Sequence, residues 1–164
     1  LFNQQLQNTM DLVGVIMDKY RSSHADYVVI DKTGVGQGVF DRLQELDYPC
    51  RGVSFGEKSE DPQFGNLKAE WHWREREWLL SGGRLLHNTD WNEFEIVKYK
   101  NKDGKIIIQP KEELFKEGIP SPNVVDAAIL TQVVSDSAVK NARVVKHMQG
   151  REFHDITRTI WRNE

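Results

Sequence analysis

Apolar positions change their spacing several times along the chain, and each change marks an element. Leu6, Met10, Val13, Met17 and Tyr20 recur at steps of three and four, which predicts an amphipathic helix over residues 4–22. Tyr27-Val28-Val29-Ile30 is a continuous β-branched and aromatic run, the pattern of a strand covered on both faces, and it ends at Asp31. The turn Lys32 to Gly38 carries Gly34, Gly36 and Gly38, and Val39, Leu43 and Leu46 then mark a second helix. Asp47-Tyr48-Pro49 breaks it, and residues 51–56 read as a second strand. Strand, helix, strand argues a parallel βαβ unit and the α/β class.

After a polar loop over 57–65, Leu67, Trp71 and Trp78 form one stripe of a third helix over 67–80, stopped by Gly82-Gly83. Residues 93–109 read as a β-hairpin: Glu93 to Lys100 is one arm, Asp103-Gly104 the turn, and Lys105 to Gln109 the return. Lys111 to Glu117 is a short charged helix closed by Gly118. Ser121-Pro122 predicts a helix start, with Ser as cap and Pro in the first turn, running to about Val134. Residues 136–164 are polar and basic and read as a weakly ordered tail.

Composition narrows the function classes. A net charge of −3 leaves no global nucleic-acid signature, so DNA contact requires a local basic patch. Lys98, Lys100, Lys102 and Lys105 on the hairpin are that patch. No apolar stretch is long enough to span a membrane. The single cysteine, Cys50, excludes an internal disulfide and suggests a reducing compartment. His24, His72, His87, His147 and His154 are scattered without metal-ligand spacing, which argues against zinc. Trp71, Trp73 and Trp78 read as helix core rather than a base-stacking platform.

Two carboxylates stand where chemistry is expected. Asp31 ends a buried parallel strand, the position at which α/β folds bind ligands, although a turn Asp bonded to nearby N–H groups sits there equally well. Asp126 interrupts an apolar helix segment, with Asn123 three residues earlier on the same face, and the pair suits a hard cation. The glycine turn has a rival reading as a dinucleotide-binding loop, with Glu57 as the ribose acid. The GxGxxG spacing fails there, and tight helix–strand packing accounts for the same glycines.

Three stretches together resemble one family: residues 28–39 (VVIDKTGVGQGV), residues 66–71 (NLKAEW) and residues 121–127 (SPNVVDA). In order and spacing they are similar to the C-terminal nuclease domain of tailed-phage terminase large subunits, over roughly residues 8–135. The resemblance implies a ribonuclease-H-like, resolvase-type α/β fold, with a central mixed sheet flanked by helices and a hairpin insertion near 93–109. It implies an endonuclease that cuts concatemeric double-stranded DNA with two Mg²⁺ or Mn²⁺ ions. It assigns Asp31 and Asp126 as catalytic, metal-holding acids, with Asn123 where many relatives carry a second Asp. Gly34, Gly36 and Glu70 support the matched motifs. The family's first acid lies on an opening strand that the chain is expected to lack, so residues 1–135 are expected to form an N-terminally truncated nuclease domain that is a poor nuclease by itself. Implied partners are DNA, a terminase ATPase domain, a small terminase subunit and a portal, in the host cytoplasm. The alternatives are a nucleotide-binding α/β domain using the Gly34–Gly38 turn, or an inactive remnant kept as an interaction module.

Overall fold

A computed structural model of the chain describes residues 8–133, which form two compact units, 8–53 and 54–133. The basic tail expected over 136–164 lies outside the described residues, as do residues 4–7 of the first expected helix.

The first unit is the expected βαβ. Helix α1 spans Thr9–Ser22, and its free N–H groups start on Asn8, whose side chain accepts from Met10 N at 2.8 Å. Strand β1 (Val28–Asp31) pairs in parallel with β2 (Cys50–Val53), Val28 opposite Cys50 and Asp31 opposite Val53. Helix α2 (Gly36–Glu45) connects them. Val13, Ile30, Val39 and Leu43 form the core between helices and strands. The turn into α2 needs its glycines for two separate reasons. Gly34 adopts φ +65°, and a Cβ on Gly36 would lie 1.8 Å from the Asp31 carbonyl oxygen. The second strand is shorter than its apolar run suggests, because the chain leaves the ladder after Val53.

The second unit is built on α3 (Leu67–Leu80), which has the boundaries its pattern predicts. Asn66 caps it by accepting from Ala69 N at 3.0 Å, and Gly82 leaves it at φ +103°. Strands β3 (Tyr99–Lys102) and β4 (Lys105–Ile108) form an antiparallel hairpin, with Asp103 and Gly104 both at positive φ in the turn. Helices α5 (Lys111–Lys116) and α6 (Asn123–Ile129) follow, and a 3₁₀ turn continues α6 over Leu130–Val133. Phe64, Ala69, Trp71, Leu114, Val125 and Ile129 are buried here. Trp71 packs edge-on to Phe55, as a core side chain does.

The structure departs from the sequence pattern at two places in this unit. Residues 93–97 are not the first arm of the hairpin: a 3₁₀ turn at Thr89–Asn92 runs into a short helix, α4 (Glu93–Ile96). Alternating Glu and apolar residues over only four positions satisfy a strand and a helical turn equally, and the Asn88 side chain, accepting from Asp90 N, starts the chain helically. Ser121 does not cap α6, which begins after Pro122. Its hydroxyl donates to Asn123 Oδ1 instead, and Glu93 Oε2 accepts from Val124 N and Val125 N at 2.7 and 3.2 Å. The cap is a carboxylate from another element.

Candidate functional site

Asp126 sits in the fourth position of α6, where the helix packs on α3. It is buried, and three basic side chains converge on it. Lys68 Nζ lies 2.8 Å from Oδ1, Lys111 Nζ 2.8 Å from Oδ2, and His72 Nε2 3.7 Å from Oδ1. The ammonium groups make close charge contacts without aligned hydrogen-bond geometry at either carboxylate oxygen. Burial alone would raise the Asp126 pKa, but contacts with His72, Lys111 and Lys68 outweigh it and hold the carboxyl well below its ordinary range. Burial, with the nearby Lys68 charge, lowers the His72 pKa against the opposing pull of Asp126, so the imidazole is neutral at pH 7. The cluster therefore carries one anion and two cations.

α3 places Lys68 and His72 on one face by their i, i+4 spacing. Lys68 is further fixed by Phe55, whose ring centroid lies 5.3 Å from Nζ. One turn beyond His72, Glu75 is buried and accepts from Gln132 Nε2 at 2.5 Å. Glu70 is buried nearer the start of the helix, accepting from Ser59 Oγ at 2.7 Å and pairing with Arg74. Asn123 is exposed, with its Oδ1 engaged by Ser121.

In the first unit, Asp31 ends β1 half-buried. Its Oδ1 accepts from Thr33 N at 3.0 Å and Thr33 Oγ1 at 2.7 Å, the bonding of a turn-forming Asp. The close approach of Gly36 to the Asp31 carbonyl gives the glycine turn its packing role.

The hairpin lysines are unequal. Lys100 pairs with Glu113 on α5, and Lys98 Nζ lies 3.7 Å from Glu117. Lys102 stands exposed beside the turn and Lys105 is half-buried.

Sequence reasoning missed the role of Lys68, His72 and Lys111 around Asp126. Lys68 and His72 carried a readable signal in their helical spacing. Lys111 carried none, because its meeting with Asp126 depends on how α5 packs.

No protein-family model matches the chain, and no curated protein matches it. A solved structure does: a lysine-to-alanine mutant of the nuclease domain of the large terminase subunit gp2 of bacterial virus Sf6, with manganese and β-thujaplicinol. The match has a TM-score of 0.59 at 17% identity and covers 76% of this chain and 72% of that one. The chain has the fold of a terminase nuclease domain. That is the ribonuclease-H-like α/β class expected from the sequence. Among the described residues no helix is long and apolar enough to cross a membrane.

The gp2 nuclease domain was solved with manganese. Among the described residues, no group of three or more His, Cys, Asp or Glu side chains converges as metal donors. Asp126 is an ionised oxygen donor of the right chemistry, but both of its oxygens face ammonium groups. These residues do not by themselves fit a two-ion centre. A dication at Asp126 has to displace at least one lysine.

Proposed function

We propose that this chain is the nuclease domain of a viral DNA-packaging terminase, a Mg²⁺- or Mn²⁺-dependent endonuclease acting on concatemeric double-stranded DNA in the host cytoplasm. The observation that carries the reading is the shared fold with the gp2 nuclease domain. The three sequence stretches named above support it independently. Asp31 and Asp126 are proposed as its catalytic acids, and Asn123 as an auxiliary oxygen ligand. Gly34, Gly36 and Glu70 are proposed to hold the surrounding backbone. Lys98, Lys100, Lys102 and Lys105 are proposed to meet DNA phosphates, with Lys102 the most available. The nuclease domain is proposed to span 1–135, with 136–164 as its basic tail. Its partners are proposed to be the terminase ATPase, the small subunit and the portal.

The chain's own residues have a definable part in this reading. Asp126 is kept ionised at any physiological pH, so it offers oxygen donors without first losing a proton. Lys68 and Lys111 balance that charge when no other cation does. Two cations against one anion also leave net positive charge at the cluster, which favours the approach of a phosphodiester.

The test is nicking of supercoiled plasmid by the chain, by Asp31→Asn and by Asp126→Asn, in Mg²⁺, in Mn²⁺ and in chelator. The expected result is weak metal-dependent nicking, because the described residues do not by themselves fit a two-ion centre; it should be greater in Mn²⁺, since Mg²⁺ demands stricter geometry, and lost in each variant. Nicking that survives chelator or both substitutions overturns it. No nicking by the unaltered chain, with DNA binding retained, favours the second reading of an inactive remnant or interaction module. The pairing of Asp126 with two lysines is the observation on that side, since it is also what a purely structural buried ion pair looks like.

A further inference from the structure

Besides facing Asp126, His72 lines an apolar pocket of about 330 Å³ in the second unit. α3 supplies Trp73, Leu79 and Leu80, α4 supplies Phe94, and the hairpin supplies Tyr99 and Ile108. This volume falls within the range of sites that take small organic ligands. Leu80 and Tyr99 are 69% and 61% exposed, so the lining opens to solvent rather than closing as core. The aromatic walls are fixed in place: Trp73 and Tyr99 meet edge-to-face at 5.6 Å, and Trp73 Nε1 donates to Glu77 at 3.1 Å.

One cation belongs to this pocket. Arg76 lies in its wall, with its guanidinium 5.0 Å from the Trp73 ring centroid. Its helical neighbours at three and four residues are His72, Trp73, Leu79 and Leu80, none of them acidic. Among the described residues it has no ion-pair partner. Glu77, the one carboxylate placed at this ring, is engaged by the Trp73 indole N–H; the exposed Arg76 is a fork of donors beside an apolar surface, and a carboxylate fits that fork.

We propose that this pocket binds a small carboxylate with a ring-sized apolar body, the body lying against Trp73, Leu79, Phe94 and Tyr99 and the carboxylate on Arg76. The site is independent of the nuclease reading. It shares only His72 with the Asp126 cluster.

The test is NMR titration of the ¹⁵N-labelled chain with indole-3-acetate and with its uncharged counterpart, indole-3-acetamide. Saturable shifts are expected at the Trp73 indole N–H and the backbone of Phe94 and Tyr99. The carboxylate should bind about fivefold more tightly than the amide. Arg76→Gln should abolish that preference while leaving amide binding as it was. Val97 also lines the pocket, just after α4, and Val97→Phe, which fills it, should remove binding of both, with the rest of the spectrum retained. The proposal is overturned by no saturable shift at millimolar ligand, by shifts centred away from these residues, or by a preference that persists in Arg76→Gln.

Discussion

The buried side chains of residues 8–53 are Val13, Tyr20, Ile30, Val39, Leu43 and Val53, with Asp26 the one buried carboxylate among them. Residues 54–133 bury Glu70, His72, Glu75 and Asp126 alongside their apolar core. The first unit is held chiefly by non-directional packing around a βαβ frame. The second combines packing with buried charges, each of which needs its partner. Substitution and pH should therefore separate the two regions.

The largest effects are expected at Leu43 in the first unit and Asp126 in the second. Asp126→Asn leaves Lys68 and Lys111 facing each other without an anion. It should cost about 2–4 kcal/mol, toward the low side of a fully buried pair because the Lys111 side chain is 42% exposed. Leu43→Ala in the first unit should cost about 2–5 kcal/mol through a cavity. The two losses differ in kind. The Leu43 loss is the same at every pH, whereas the Asp126 loss shrinks in acid. Asp126 has a depressed folded pKa, so its contribution is present in full above its ordinary value of 3.8 and disappears as pH falls below it. Urea unfolding of both variants at pH 7 and in acid checks this, with a pH-independent Asp126→Asn penalty as the contrary outcome.

A smaller effect follows from His72. Its folded pKa lies below the ordinary 6.5, so between these values the unfolded chain binds more protons. Stability should be complete above about pH 6.5 and decline as the solution is acidified toward the folded value, with a slope of at most about 1.4 kcal/mol per pH unit. Glu75 acts in the opposite sense: burial, only partly offset by Gln132, raises its pKa, so protonation in mild acid favours the fold. The His72 slope is cleanest in a Glu75→Gln background and should vanish when His72→Gln is added. Amide hydrogen exchange should place the slope in α3 and α6, not in β1 or α2.

The smallest effect is a gain. Glu75→Gln removes a charge that is 2% exposed and, among the described residues, is met by the Gln132 amide rather than by a cation, so it should stabilise by about 1 kcal/mol at pH 7. The gain should fade as pH drops toward the Glu75 pKa. Thermal melts across that range measure it, and destabilisation at pH 7 would show that the ionised carboxylate has further partners.

The contrast also explains what could be read from the sequence. β1, α2 and β2 were legible because apolar spacing and Gly34 and Gly36 act locally. α3 was legible to the residue because its apolar stripe begins at Leu67 and Gly82-Gly83 stop it. The singling out of Asp126 came from a carboxylate set in an apolar run. Its lysine partners were not legible, since Lys111 arrives through the packing of α5 and Lys68 only through the contact of α3 with α6. Glu93 was misplaced for the same reason. Nothing in residues 93–97 announces that a carboxylate there ends up on the backbone of Val124 and Val125.

That Glu93 contact ties the chain into a ring. From Glu93 through the hairpin and α5 to Val125, the polypeptide leaves and returns to one clasp, while Asn101–Gly104 at the far tip is exposed and distant from the core packing. The peptide bonds of the tip therefore contribute little to holding the two arms together, because β3 remains paired with β4 and α4 remains packed on α6. A break introduced between Asp103 and Gly104 should leave halves that stay associated, making the hairpin tip the natural place to split this protein into fragments that reassemble on mixing.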